Sequence, residues 1–158
     1  MQLILDSYQI TPATCALLPT RSFDHQTKVI EEEQILYVKQ SPFDVIKHNC
    51  LLNGADYAGR IKAITYHLHF KRKVPVAIHP RIHAFPTHRV NSFECIWLFA
   101  KQITRTQAKN NHSKIVFKNN ITLKLPISNH ILIKQTRRCA EVANLYKQIK
   151  PTTNPPLQ

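Results

Sequence analysis

The uneven distribution of charge is the feature that most restricts what this chain can fold into. Residues 1–56 carry four basic and seven acidic side chains, a net charge of −3, whereas residues 57–158 carry eighteen basic and two acidic side chains, a net charge of +16. A segment with this imbalance repels itself unless it meets a polyanion, and the ordinary partners of this kind are nucleic acid or an anionic membrane surface. The pattern therefore predicts a nucleic-acid-binding protein, with a merely basic soluble surface as the alternative.

Length and hydropathy predict one globular domain. A chain of 158 residues with 43% hydrophobic side chains can bury a core of its own. We assign residues 1–150 to that domain and expect the Pro-rich residues 151–158 to form a disordered tail. The longest apolar run, Cys95–Ala100, is far shorter than the roughly 20 residues that span a bilayer. With no secretory signal pattern at the N-terminus, we expect a cytoplasmic, nucleoid-associated protein without a membrane partner.

The segment from Leu51 to Arg89 concentrates the unusual residues of the chain. It contains both glycines, Gly54 and Gly59, five of the nine histidines, and the densest basic cluster, residues 71–73. The sign of the charge also changes within this segment. We expect Gly54 to Arg60 to form a structural corner, and the basic residues that follow it to form the binding surface.

Residue patterns predict an α+β fold in which short antiparallel strands form a sheet or a partly open barrel. Three helices, including a C-terminal one, are expected near residues 42–53, 57–70 and 130–148. In these segments apolar residues recur at helical spacing behind capping residues such as Ser41 and Asp56. Three strand pairs and a separate β-rich run are expected at residues 27–31 with 34–39, 76–78 with 82–85, 114–117 with 121–125, and 93–103.

Two further segments have weaker patterns. Residues 6–19 are predicted to form two short strands interrupted at Thr11-Pro12, because proline has no N–H to donate to a sheet. Residues 104–113 are predicted to form a polar loop.

The chemistry of most enzymes is missing from the basic part of the chain. After Asp56 the only carboxylates are Glu94 and Glu141, so the clustered oxygen ligands that hold divalent cations are absent. Two glycines cannot build a Gly-rich loop that holds phosphates. We therefore predict no enzyme, no catalytic residue, no cofactor and no metal.

The histidines leave a second class of function open, that of an RNA-binding protein or an enzyme that uses acid–base catalysis. Their spacing matches no well-specified zinc motif, but imidazole groups transfer protons near pH 7 without any pKa shift. An RNA-binding protein or a ribonuclease-like enzyme that uses His67, His69 or His83 is therefore the alternative to a DNA-binding protein.

Basic residues are the candidates for DNA contact. No helix-turn-helix, zinc-finger or basic-zipper pattern occurs, which favours readout of DNA shape and of the minor groove over a single recognition helix. Arg137 and Arg138 are weaker candidates, since a basic terminal helix also suits oligomerisation. The full set comprises Arg60, Lys62, Lys71, Arg72, Lys73, Arg81, Arg89, Arg137 and Arg138.

The order of several motifs resembles the ComK family of competence transcription factors. The sequence Tyr-Ala-Gly-Arg occupies residues 57–60, Thr65 and Pro75 follow, and Phe-Pro-Thr occupies residues 85–87. Gly54, Tyr57 and Gly59 fit the central motif of the family as structural residues. The resemblance covers roughly residues 6–140, with Tyr8, Cys50, Trp97 and residues 17–19, 36–38 and 125–128 also in family-like order.

The resemblance implies a bacterial transcriptional activator of DNA-uptake genes. Members of the family bind paired A/T-rich boxes of double-stranded DNA as homo-oligomers, largely through the minor groove. An activator also implies RNA polymerase as a partner, and the family implies a Clp-protease adaptor that controls its degradation. Longer members continue beyond the last helix, which weakens the expectation of adaptor-directed degradation and of full activation here. A short member that binds DNA without activating, and that modulates a longer relative, is therefore a further alternative.

Overall fold

The computed structural model describes residues 3–149, so the predicted tail of residues 151–158 lies outside the described residues. The described part is an α+β protein with three helices, which confirms the predicted class. The helices are α1 (Pro42–Leu52), α2 (Tyr57–Leu68) and α3 (Asn129–Gln148). The strands β1 to β10 are Ile4–Leu5, Thr14–Pro19, Thr27–Glu31, Ile35–Val38, Val76–His79, Ile82–Pro86, Trp97–Phe99, Ile103–Lys109, His112–Phe117 and Thr122–Leu125.

The strands form two sheets. The larger sheet has seven strands in the order β1-β4-β3-β2-β7-β6-β5, and all its pairs are antiparallel except β1 with β4. The smaller sheet has three antiparallel strands in the order β10-β9-β8. Of the two predicted alternatives, the described residues therefore form open sheets and no closed barrel.

The two larger of three hydrophobic clusters among the described residues lie on opposite faces of the seven-stranded sheet, because neighbouring side chains of a strand alternate between faces. Trp97 and Leu17 belong to one core, where they meet α1 and α2. Leu98 and Phe85 belong to the other core, where they meet α3 and the three-stranded sheet. The sheet is thus the middle layer between a helical layer and a mixed layer.

Capping residues position the three helices, and those of α1 and α2 are the predicted Ser41 and Asp56. The side chain of Ser41 accepts a hydrogen bond from the N–H of Asp44, at 3.2 Å, at the start of α1. Asp56 and Ser128 cap α2 and α3 in the same way. Helix α2 ends two residues before the predicted boundary, because His69 adopts a left-handed conformation with φ of 61°.

The prediction for residues 6–19 is wrong in its first half. Within this segment only β2 is a strand; the two-residue β1 lies before it, at Ile4–Leu5, and residues 6–13 form no strand. The side chain of Asn49 on α1 supplies hydrogen bonds to the backbone of this segment instead. It accepts from the N–H of Ile10 and donates to the carbonyl of Tyr8, both at 2.8 Å. A buried side-chain amide thus replaces a neighbouring strand, which local sequence does not reveal.

The predicted polar loop at residues 104–113 is also wrong. Strand β8 extends to Lys109, and β9 already begins at His112. Few apolar side chains mark β8, because it is the edge strand of the small sheet and most of it is exposed. The side chains of β8 hardly alternate between apolar and polar, so the sequence pattern does not indicate a strand. Its backbone pairing with β9 is what makes it one.

Candidate nucleic-acid interface

A basic cleft of about 950 Å³ opens at one end of the β5–β6 hairpin. In an antiparallel hairpin the residues before the first strand and after the second lie at the same end. Residues 71–73 precede β5 and residues 87–90 follow β6, so this geometry brings them together. The lining residues are Tyr57, Ile61, Lys71, Arg72, Lys73, Val74, Thr87, His88, Arg89, Val90, Ser92, Pro126, Ile127, Ser128 and Ile131.

The positive charge of the cleft is not neutralised within the described residues. None of the described residues that line it is acidic. Between residues 3 and 149 the salt bridges are Lys39–Asp6 at 2.8 Å and Lys47–Asp44 at 3.2 Å, both in the acidic part of the chain. Lys71, Arg72 and Arg89 are exposed to solvent. Their charges therefore reinforce one another in a concave surface, which concentrates anions.

The N-terminus of α3 adds to this potential. Ser128, the N-cap of the helix, lies in the wall of the cleft. The unpaired N–H groups of a helix N-terminus carry partial positive charge and favour anions such as phosphate.

A buried glutamine holds the basic loop in place. Gln135 of α3 is only 2% exposed, and its Nε2 donates to the carbonyls of Lys73 at 2.8 Å and Pro86 at 2.9 Å. Lys73 lies before β5 and Pro86 at the end of β6, so the two carbonyls come together at the same end of the hairpin. One side chain thus fixes both strand ends relative to α3.

Arg138 stabilises the same loop through contacts with Gln135 and Phe70. Its guanidinium donates to Oε1 of Gln135 at 2.6 Å and lies 4.3 Å from the centre of the Phe70 ring. Burial lowers the pKa of Arg138. Because its guanidinium already contacts Gln135 and Phe70, the geometry gives Arg138 a positioning role; its predicted contact with DNA stays a prediction.

The Phe-Pro-Thr motif directs Arg89 into the cleft from the end of β6. Phe85 is fully buried, and Thr87 is 1% exposed. The Oγ1 of Thr87 accepts from the N–H of Ile96 at 3.0 Å, and the N–H of Thr87 donates to the carbonyl of Ile96 at 2.9 Å. Both ends of the motif are therefore fixed by packing and hydrogen bonds, and the exposed Arg89 follows two residues later.

Arg60 points inward, onto the backbone. Hydrogen bonds to carbonyl oxygens use four of the five N–H donors of its guanidinium. They join the end of α1, the α1–α2 turn and β5. Arg60 therefore closes the structural corner, and the contact with DNA predicted for it stays a prediction. The acceptors are Ala55 at 2.9 Å, Ala77 at 2.9 Å, Cys50 at 3.0 Å and Asn53 at 3.1 Å.

The other motif residues of the corner also have visible structural roles. Gly54 has a φ of +98° and ends α1 with a hydrogen bond from the N–H of Ala55 to the carbonyl of Cys50, at 3.3 Å. A Cβ at Gly59 would lie 2.7 Å from the Oδ1 of Asp56, the carboxylate that caps α2. Glycine at this position thus leaves room for the cap.

Tyr57 belongs to both the core and the cleft. Its ring packs edge-on against Phe43 and Trp97, with centroid distances of 5.0 Å and 6.4 Å. The same residue lines the cleft beside Ile61. Burial raises the pKa of the Tyr57 hydroxyl, which is therefore neutral and able to donate a hydrogen bond.

The remaining predicted contacts lie away from the cleft lining. Arg81 is in the turn at the opposite end of the β5–β6 hairpin. Lys62 is exposed on α2, and Arg137 is exposed on α3. The predicted set of DNA contacts did not include His88 or Ser128, although His88 directly follows the Phe-Pro-Thr motif and Ser128 ends the family-like run at residues 125–128.

The structure separates the histidines proposed for acid–base catalysis. His67 and His69 are exposed at the end of α2, whereas His83 is 6% exposed within β6. Burial, and then the nearby charges of Lys101 and Lys147, lower the pKa of His83 to about 4. At neutral pH His83 is uncharged, and it cannot act as a general acid. In residues 3–149 no group of three or more His, Cys, Asp or Glu side chains is arranged to hold a metal ion.

Among the described residues, no helix combines the length and the apolar character that crossing a bilayer demands.

The fold and the cleft together define a class: an α+β protein with an uncompensated basic cleft between a strand hairpin and a helix N-terminus. Comparison with known proteins identifies the family. The family model described as "ComK protein" matches residues 5–150. The chain is also 32% identical over 142 residues to the "Competence transcription factor" of Bacillus subtilis (strain 168), covering 86% of this chain and 73% of that protein. No solved structure gave a match. The chain belongs to the ComK family, which confirms the resemblance.

Proposed function

We propose that this protein is a transcriptional regulator of competence genes that binds A/T-rich double-stranded DNA through the basic cleft. The observation that carries the proposal is the convergence of Lys71, Arg72 and Arg89 around one concave surface with no acidic lining residue. Family membership and the relative's name support a regulator of transcription. In this proposal residues 1–150 form a single DNA-binding domain.

The cleft suits a DNA backbone better than a small anion. Cations at residues 71–73 and 89 contact phosphates, which accounts for affinity and is independent of sequence. Arginine also inserts into the narrow minor groove of A/T tracts, where the negative potential is strongest. We therefore assign Arg72 and Arg89 to the minor groove and Lys71 to phosphate. The apolar part of the lining, such as Ile61 and Ile131, faces the sugar edges.

The predicted partners follow from this proposal. Paired A/T-rich boxes require a homo-oligomer, and activation requires contact with RNA polymerase. A Clp-protease adaptor stays a prediction from the family resemblance. We propose a cytoplasmic location at the nucleoid, where the DNA is.

Fluorescence anisotropy with three labelled ligands tests the proposal: an A/T-rich duplex, a G/C-rich duplex of equal length and a single-stranded RNA. We expect the A/T-rich duplex to bind most tightly, and a minor-groove ligand to compete with the protein. Equal affinity for all three ligands, or cleavage of the RNA, would refute the proposal.

A reporter assay separates activation from binding alone. An activator raises expression from a promoter that carries A/T-rich boxes, whereas a non-activating family member occupies the boxes and leaves expression unchanged. Co-expression with a longer family member then shows whether this chain modulates its activity.

A further inference from the structure

The outer face of the three-stranded sheet is a second basic surface, separate from the cleft lining. Strand alternation directs one set of side chains inward, where Ile115, Phe117 and Leu125 are fully buried in the second core. The opposite set faces outward. From β8, β9 and β10 it comprises Arg105, Gln107, Lys109, His112, Lys114, Val116, Thr122 and Lys124.

The positive charges on this face repel one another and therefore destabilise the sheet when no anion is bound. Lys114 lies directly opposite Lys124 in the pairing of β9 with β10, and like charges in this position destabilise a sheet. Lys109 lies opposite His112 at the other end of the sheet. Residues 95–140 contain no acidic side chain at all, so none of these cations has a nearby carboxylate in sequence.

The face is accessible and borders the cleft. Arg105, Lys109 and Lys124 are exposed and Lys114 is half-buried, whereas Val116 on the same face is buried. Lys124 precedes by two residues Pro126, which lines the cleft, a distance of about 7 Å along an extended chain. The neutral side chains of the face, such as Gln107 and Thr122, are hydrogen-bond donors.

We propose that this face is a second contact surface for the phosphate backbone of DNA, beyond the cleft. The inference rests on the proposed function, because it assumes that the bound polyanion is duplex DNA. Neighbouring strands stand about 4.8 Å apart, so cations on adjacent strands reach successive phosphates of one DNA strand. Such contacts lengthen the bound segment and add affinity without base specificity.

A charge-matched pair of variants tests this surface. The sheet variant carries Lys109→Gln, Lys114→Gln and Lys124→Gln, and the control carries Lys28→Gln, Lys39→Gln and Lys47→Gln in the acidic part of the chain. Each loses three positive charges. We expect the slope of log affinity against log salt to become shallower by about 2 to 3 in the sheet variant. We also expect its affinity at low salt to fall about tenfold or more, with the control close to the wild type.

Lysine acetylation of the wild-type protein provides a measurement that does not depend on the folding of a variant. We expect an A/T-rich duplex to protect Lys109, Lys114 and Lys124 from the reagent, as detected by mass spectrometry. Lys28 and Lys47 are expected to react equally with and without DNA.

The outcomes distinguish this inference from the proposed function. If the wild type binds no duplex, both are overturned. If the wild type binds an A/T-rich duplex but the sheet variant equals the control and the three lysines are not protected, only the sheet surface is overturned. A sheet variant that aggregates with unchanged affinity would assign Lys109 and Lys124, on the two edge strands, to protection of the sheet edges and would overturn the inference. A variant that binds normally but no longer activates would assign the face to a protein partner, which also overturns the inference.

Discussion

Two regions of the molecule use the same kind of side chain in opposite ways. At the corner between α1 and α2, the guanidinium of Arg60 is satisfied by four backbone carbonyls. At the cleft, Arg72 and Arg89 are exposed and face no acidic lining residue. Arginine therefore stabilises the fold where the backbone supplies acceptors, and it is available to a ligand where the backbone supplies none. Basic composition alone does not distinguish the two roles.

The largest effect on stability is expected from Arg60→Ala. The substitution leaves several carbonyls without their partner, so the free energy of unfolding in urea should fall by about 3 kcal/mol. Lys62→Ala, exposed on the same helix, is the control and should change it by less than about 0.5 kcal/mol. If Arg60→Ala instead kept the stability and weakened DNA binding as a cleft variant does, the distinction between corner and cleft would fail.

Arg72→Gln combined with Arg89→Gln tests the other side of the comparison. We expect the affinity for an A/T-rich duplex to fall about 100-fold, because two minor-groove arginines are lost. Lys39→Gln combined with Lys47→Gln removes the same charge from the acidic part and should have little effect. Thermal unfolding of both variants should match the wild type. If the folded cleft variant bound the duplex with normal affinity, the DNA interface would have to lie elsewhere on the protein.

His83 adds a third case, in which burial suppresses the positive charge. Its pKa of about 4 lies below the ordinary histidine value of roughly 6.5, so the unfolded chain binds a proton that the folded protein rejects. The stability from this site is present above pH 6.5 and is lost as the pH falls through 4, by about 2 to 3 kcal/mol.

Urea unfolding of the wild type and of His83→Leu between pH 7 and pH 4 measures this loss. The variant should have a flatter pH dependence, and His67→Gln, which changes an exposed histidine, should follow the wild type. Parallel curves for His83→Leu and the wild type would contradict the assignment.

The smallest effects concern the two glycines of the corner. Gly54→Ala places a Cβ at a φ of +98° and should lower stability by about 1 kcal/mol. Gly59→Ala displaces the flexible carboxylate of Asp56, but it also gains helix propensity, so the net change should be within about 0.5 kcal/mol. Chemical denaturation of both variants measures the difference. A larger loss for Gly59→Ala would show that the cap of α2 matters more than the αL turn.

Much of the fold was predictable because its signals are local. Ser41, Asp56 and Ser128 cap the three helices near the expected positions, and the strand pairs predicted after residue 26 are present. The two errors involve segments whose partners are distant in sequence. Asn49 forms hydrogen bonds with the backbone of Tyr8 and Ile10. Strand β8 has few apolar side chains and is held as a strand by its pairing with β9.

The sequence alone establishes that the basic charge follows residue 56, that only two carboxylates accompany it there, and that the chain resembles one family. It could not decide which cations share a surface. The folded structure shows that residues 71–73 and Arg89 line one cleft, whereas Arg81 lies at the far end of the same hairpin. The physical reason is that hairpin pairing and helix packing place side chains over long sequence separations. Whether a guanidinium is free depends on which carbonyls that packing brings within reach, and for Arg60 it brings four.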